Sequence, residues 1–179
     1  MLINKLKKIF FKEKFNKKEI NYIVENIVKV SESDIFYSKY KIPKKFLSRF
    51  EIIVIFVFLL FYRIKDEKNC ETKLQKIYDY LFDYIDFSLR ELGVSDLSIG
   101  KNINILAKKF SLRIKIYHKY CKNDFNNIKQ PIKKYVYNNT NISGVIVNKF
   151  VQYIISEQKK LKSRSLSNIF VKNCFQLPK

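Results

Sequence analysis

The sequence predicts an all-α protein, a single multi-helix bundle built around a helical hairpin and one buried central helix. Three observations point to this fold class. Only three glycines and three prolines occur in 179 residues, too few turn residues for a many-stranded sheet protein. Apolar residues recur at spacings of three and four in several long segments, which is the period of an amphipathic helix. Hydrophobic residues make up 47% of the chain, enough to bury a sizeable core.

Residues 1–15 are predicted to form a short basic amphipathic arm. An apolar stripe runs among five lysines and consists of Leu2, Leu6, Ile9 and Phe10. The arm could dock on an anionic membrane surface or ribosomal RNA, or its apolar edge could rest on the rest of the protein. It lacks the apolar region and cleavage site of a signal peptide, and the absence of arginine argues against a transit peptide.

Residues 16–163 are predicted to form one helical domain. Asn16 is a plausible cap for a first helix with one apolar side, and a short aromatic helix and turn follow between Asp34 and Pro43. The central helix spans about residues 48–64 and is hydrophobic all round, which is typical of a helix surrounded by others. Its continuous apolar run, residues 52–61, is half the length that a membrane span needs.

The hairpin is predicted from helices at about residues 71–92 and 97–121. Gly93 lies where a left-handed C-terminal cap is expected, and Asp96 suits the N-cap of the second helix. Gly100, in the first turn of that helix, suggests that another segment passes close. The first helix carries an apolar stripe that extends to Leu92. It also carries an acidic stripe, which consists of Asp79, Asp83 and Asp86. The stripe could face solvent or a partner, or pair with the chain's own arginines, of which Arg49, Arg63 and Arg113 are the expected partners.

The second helix of the hairpin has an apolar stripe on one side and lysines on the other. The lysines recur every seven residues and are Lys101, Lys108, Lys115 and Lys122. Such a row could follow nucleic-acid phosphates, or it could be a solvated outer face. Beyond the hairpin, the sequence predicts a short helix with Pro131 in its first turn, a helix over residues 143–163, and an irregular tail over residues 164–179.

Net charge, cysteine spacing and the single histidine limit the functions that this sequence can have. The net charge of +20 favours anionic partners, although the abundance of Lys, Ile and Asn would also follow from an AT-rich genome. The three cysteines are far apart, and the single His118 has no local partner for catalysis. We therefore predict no catalytic residue, no metal site and no cofactor, and hence no enzyme. No RNP motif or recognition helix accompanies the lysines, which argues against sequence-specific nucleic-acid binding.

The segment 86–101, DFSLRELGVSDLSIGK, resembles the signature of the ubiquinol–cytochrome c chaperone family, approximately D-x-x-L-R-E-x-G-V-G-D-x-x-V-G-K. Ser95 replaces the usual glycine. The signature residues present in this chain are Asp86, Arg90, Glu91, Gly93, Asp96, Gly100 and Lys101.

Further landmarks extend the likeness over about residues 20 to 160. Arg49, Phe50 and Glu51 match the family's R-F-E, and Arg113 matches the arginine of A-x-x-F-Y-G-R. The Tyr-Gly pair of that second motif is absent, and Phe56 stands where the family commonly has a histidine.

The resemblance implies an all-helical, non-enzymatic chaperone for the assembly of respiratory complex III. It implies that the protein binds newly made cytochrome b, with the ribosome near the tunnel exit and a small partner protein as further partners. The chain resembles a bacterial member, expected in the cytoplasm with peripheral contact to an anionic inner membrane. Two rival interpretations are a basic ribosome- or RNA-associated protein and a peripheral membrane protein anchored by the N-terminal arm.

A second aromatic line on the first hairpin helix is the candidate client surface. It consists of Tyr80, Tyr84 and Phe87, which lie outside the apolar stripe of that helix. This line, or a groove beside it, could receive an apolar segment of cytochrome b. Ordinary core packing on a second side of the helix is the alternative.

Overall fold

The computed structural model describes residues 17–67, 70–138, 140–171 and 174–178, and this part of the chain is helical without strands. The predicted arm and the Asn16 cap lie outside the described residues. In chain order the elements are α1 (Lys17–Ser31), α2 (Ile35–Ser38), α3 (Phe46–Ile64), α4 (Cys70–Glu91), α5 (Asp96–Cys121), a 3-10 helix (Phe125–Ile128), α6 (Lys129–Tyr135), α7 (Gly144–Ser163) and α8 (Leu166–Val171). The predicted all-α bundle is confirmed.

Helix α3 is the centre of the bundle, as its all-apolar sequence predicts. Every residue from Phe50 to Leu60 is buried, because α1, α5 and α7 pack around the helix on different sides. Burial of each large apolar side chain contributes roughly 1.5–3 kcal/mol, so this one helix contributes much of the core. Within the described ranges, no helix has both the length and the apolarity that crossing a bilayer requires.

The hairpin of α4 and α5 ends its first helix with a Schellman motif. Gly93 has a φ of +79°, the left-handed conformation that glycine adopts without strain. Its N–H donates to the carbonyl of Arg90 at 2.9 Å, and the N–H of Val94 donates to Leu89 at 3.1 Å. The predicted cap at Gly93 is therefore confirmed.

Three details of the predicted hairpin are wrong. Ser95 is the N-cap residue of α5, and Asp96 is already helical. No atom of the described residues lies within 4 Å of a Cβ placed on Gly100, so none of the described segments passes close there. Leu92 lies beyond the end of α4 and is 67% exposed, because the helix stops at Glu91 before its apolar stripe can continue.

The C-terminal residues differ from the predicted irregular tail. They include α8, and they bury Phe170, Cys174 and Phe175. The side-chain oxygen of Asn26 accepts from the Phe175 N–H at 2.9 Å, and the Phe175 ring packs 4.7 Å from the Phe56 ring. This end of the chain therefore closes the core over α1 and α3. The division into arm, domain and tail stays a prediction.

Candidate functional site

A groove between the start of α3 and the end of α4 is the candidate functional site. Its volume is about 290 Å³, and apolar side chains line most of it. They are Phe46, Phe50, Ile53, Tyr84, Ile85, Phe87 and Leu92, with Arg49, Ser88 and Glu91 as the polar members. Because both helices are anchored in the core on their opposite sides, the groove has rigid walls.

Exposed apolar side chains border the groove. Phe87 is 60% exposed and Leu92 is 67% exposed, and Phe46 at the start of α3 is also exposed. Isolated apolar side chains on a surface need no explanation, but three large ones around a groove form a patch of the kind that binds other proteins. The site can therefore take an apolar ligand by burial, without any covalent chemistry.

Arg49 fixes one wall of this groove. Its guanidinium forms an ion pair with Glu32, the residue that follows α1, and donates to the hydroxyl of Tyr84 on α4, with a distance of 3.2 Å between Nη2 and Oη. Ser88, one turn further along α4, donates to the carbonyl of Tyr84 at 2.9 Å. Three helices are thus joined through one arginine, and the Tyr84 side chain is held at the groove.

Glu51, two residues after Arg49, lies in a different environment. Both its carboxylate oxygens accept from Nε of Arg113 on α5, at 3.0 and 3.1 Å, and both side chains are largely buried. The guanidinium carbon of Arg113 lies 3.4 Å from the centre of the Tyr135 ring on α6. Burial raises the pKa of Glu51, against the opposing effect of Arg113. This cluster joins α3, α5 and α6 inside the protein.

Tyr117 lies in the same cluster and is fully buried. Its pKa is raised well above the usual value, first by burial and then by the charge of Glu51. Its hydroxyl has no hydrogen-bond partner among the described residues. The phenol therefore stays neutral at physiological pH and packs beside the ion pair.

Arg90 organises the turn between α4 and α5. Its Nε donates to Asp86 at 2.7 Å, one helical turn earlier, and its Nη1 forms an ion pair with Asp96 at the start of α5. The guanidinium therefore bridges the two helices of the hairpin at the surface. Three residues of the family signature thus act together in the structure, and their role there is to stabilise the corner.

The expected pairing of the acidic stripe with distant arginines is wrong. Arg49 pairs with Glu32, Arg63 with Glu67, and Arg113 with Glu51. Only Asp86 of the stripe has an arginine partner in the described residues, and it is Arg90 of the same helix. Asp79 instead accepts from Gln75. Sequence spacing identified the local pair but could not identify partners that packing brings together.

The predicted client surface divides in two. Tyr84 and Phe87 line the groove, whereas Tyr80 does not line it and is half-buried against the core. Sequence reasoning missed Phe46, which lines the groove and precedes the predicted start of α3 at residue 48. An apolar pair between Lys44-Lys45 and the core run was the available signal. The remaining signature residues, Glu91, Gly100 and Lys101, are exposed, and Glu91 borders the groove.

Catalytic and metal chemistry have no evident site in the described part of the chain. No group of three or more His, Cys, Asp or Glu side chains there could hold a metal ion. Burial raises the pKa of the Cys121 and Cys174 thiols to about 12, so neither is a reactive thiolate at neutral pH. His118 is exposed on α5.

Comparisons with known proteins agree with this architecture. The sequence model of a family described as "Ubiquinol-cytochrome C chaperone" matches residues 38–174. Among solved structures, the chain is similar to the "Cbp3 homolog from Brucella abortus", with 24% identity and a TM-score of 0.73, over 95% of this chain and 93% of that one. At this identity the likeness shows a shared fold. None of the curated proteins matches the chain.

Proposed function

The chain belongs to the ubiquinol-cytochrome C chaperone family, and from that premise we propose that it is a non-enzymatic assembly chaperone for newly made cytochrome b. In this proposal the protein holds an apolar segment of cytochrome b and promotes assembly of ubiquinol–cytochrome c reductase, complex III. The ribosome and a small partner protein are further proposed partners, because the client is bound soon after synthesis.

The groove between α3 and α4 is the proposed client site, and its geometry is the observation that carries the proposal. Its volume of about 290 Å³ is at the lower limit for small-molecule sites, and it suits one or two protruding side chains of a helix. The exposed Phe46, Phe87 and Leu92 would lose contact with water when such a helix lies across them.

The rigid walls of the groove support transient binding. Arg49 holds the Tyr84 hydroxyl by a hydrogen bond, so binding need not order that side chain. A small apolar contact with no buried charge of its own gives modest affinity, which suits a chaperone that must release its client. Arg49 and Glu91 at the border of the groove can contact polar atoms at the end of an apolar segment.

Site-specific photocrosslinking tests this proposal in cells. A crosslinking amino acid replaces Phe87 in the groove, and a second variant carries it at Val145, which is equally exposed but lies on α7. We expect the position 87 variant to capture cytochrome b and the position 145 variant to capture little. Equal capture at both positions, or capture of ribosomal proteins without cytochrome b at position 87, contradicts the proposal and favours a ribosome-associated role.

A charged substitution tests whether the groove is needed. Because Phe87 is mostly exposed, Phe87→Asp should leave the unfolding midpoint nearly unchanged, while a charge at the border of an apolar groove should reduce complex III levels severalfold. Val145→Asp is the matched control. Normal complex III assembly with Phe87→Asp and with Tyr84→Asp, in proteins that remain folded, would exclude the groove as the client site.

A further inference from the structure

The outer face of α5 is strongly basic. Residues 97–122 contain six lysines and one arginine but no aspartate or glutamate. The exposed lysines on the face opposite the buried stripe are Lys101, Lys108, Lys115, Lys119 and Lys122. At 1.5 Å per residue this face is roughly 39 Å long.

Large aliphatic side chains are interspersed among these lysines. Leu97 is 98% exposed, Ile105 is 42% exposed and Leu112 is 52% exposed. Together with the lysines they follow one another at spacings of three and four, so they lie in one row along the helix. Contact with water alone would explain the lysines of this face. It does not explain the three exposed aliphatic side chains.

The lysines of this row have no acidic partner within the described residues. The ion pairs there involve Arg113 of α5, but none of its lysines. The other side of α5 is fixed in the core by Leu106, Phe110 and Tyr117, so the helix cannot rotate to hide its aliphatic side chains. The lysines and the aliphatic side chains therefore lie together on one preformed surface.

We propose that the outer face of α5 docks on an anionic phospholipid bilayer. The lysine ammonium groups contact lipid phosphates, while Leu97, Ile105 and Leu112 enter the boundary between headgroups and acyl chains. Nucleic-acid phosphates would satisfy the lysines, but they would leave the aliphatic side chains in water. The combination therefore favours a lipid surface. This surface is separate from the client groove, and the proposal does not rest on client binding.

Flotation of the full-length protein with vesicles tests the charge component. Vesicles of phosphatidylglycerol and phosphatidylcholine are compared with phosphatidylcholine alone, and we expect binding to the first only. Lys108→Gln with Lys115→Gln should weaken binding roughly fivefold for each lysine removed. The control removes two exposed lysines of α7, as Lys159→Gln with Lys162→Gln, and should change binding less than twofold. All variants keep residues 1–15, so any contribution of the arm is common to them.

Aliphatic substitutions distinguish a membrane from RNA. Ile105→Ser with Leu112→Ser keeps every charge and should weaken vesicle binding roughly tenfold, while binding to poly(U) RNA should stay the same. Val145→Ser is the control, and Leu97→Ser, at an almost fully exposed position, provides a second variant if the first pair lowers the unfolding midpoint. Unchanged vesicle binding by the aliphatic variants, or flotation of the lysine variants like the unmodified protein, would overturn the proposal.

Discussion

Arg49 and Glu51 are separated by one residue on α3, yet they belong to two different kinds of site. Arg49 faces the client groove, and its ion pair with Glu32 is half-exposed. Glu51 faces the interior, where Arg113 pairs with it and Tyr135 covers the guanidinium. Phe50 between them is buried in the core and also lines the groove. The R-F-E triplet thus contributes to the groove through Arg49 and Phe50, and to the core through Phe50 and Glu51.

The difference shows how a buried helix can serve both tasks. Successive residues of a helix point about 100° apart, so residues i and i+2 lie on nearly opposite sides. On the outer side, water weakens the attraction between Arg49 and Glu32. On the inner side, the Glu51–Arg113 pair is shielded from water, so removing either residue leaves the other charge buried without a partner. The comparison makes three predictions, from the largest expected effect to the smallest.

Removing the buried arginine should have the largest effect. Arg113→Ala should lower the free energy of unfolding by about 3–5 kcal/mol, because it leaves Glu51 buried without its partner. Urea unfolding followed by circular dichroism measures this change. Arg113→Lys keeps the charge but loses the planar stacking on Tyr135, and it should be intermediate. If Arg113→Ala costs no more than the equivalent change at Arg49, the two sites do not differ as described.

Removing the groove arginine should have a smaller effect on stability. Arg49→Ala should cost about 1–2 kcal/mol, from a half-exposed ion pair and one hydrogen bond to Tyr84. A double-mutant cycle with Tyr84→Phe should give a coupling energy of about 0.5–1.5 kcal/mol. Additive effects of the two substitutions would mean that the arginine does not hold Tyr84.

The smallest effect concerns the pH dependence of Glu51. Its folded-state pKa lies above a glutamate's usual 4.5 because of burial, so the folded protein keeps this proton to a higher pH than the unfolded chain does. The stability contributed by Glu51 should therefore fall as pH rises from about 4.5 through the folded-state pKa. As pH rises over that range, the free energy of unfolding of the unsubstituted protein should decrease relative to that of Glu51→Gln.

Urea titrations at a series of pH values measure this difference. Glu71→Gln, at an exposed glutamate on α4, controls for the loss of one carboxylate. A constant difference between the unsubstituted protein and Glu51→Gln across the range would mean that burial does not govern Glu51.

The sequence predicted those features that depend on neighbouring residues. The Gly93 cap follows from the intrinsic conformational freedom of glycine, and the Asp86–Arg90 pair follows from helical spacing. The burial of α3 followed from an apolar run with no polar side. In the groove, Tyr84 and Phe87 were predicted because they lie outside the apolar stripe of α4.

Features that depend on tertiary packing could not be predicted. Glu51 and Arg113 are 62 positions apart, and no local pattern relates them. Leu92 belonged to an apolar stripe by spacing, but α4 ends one residue earlier and leaves it at the groove. The C-terminal residues show no helical period because single side chains, and not a continuous face, attach them to the core.

The attachment of Phe175 to Asn26 has a consequence for the order of synthesis. The two residues are 149 positions apart, so the ribosome makes Phe175 long after Asn26. The slot beside Phe56 stays open until Phe175 emerges. We expect chains that terminate before Cys174 to expose this slot and to be degraded faster than full-length chains, measurable by pulse–chase labelling. Closure of this part of the core would then show that synthesis has passed Phe175.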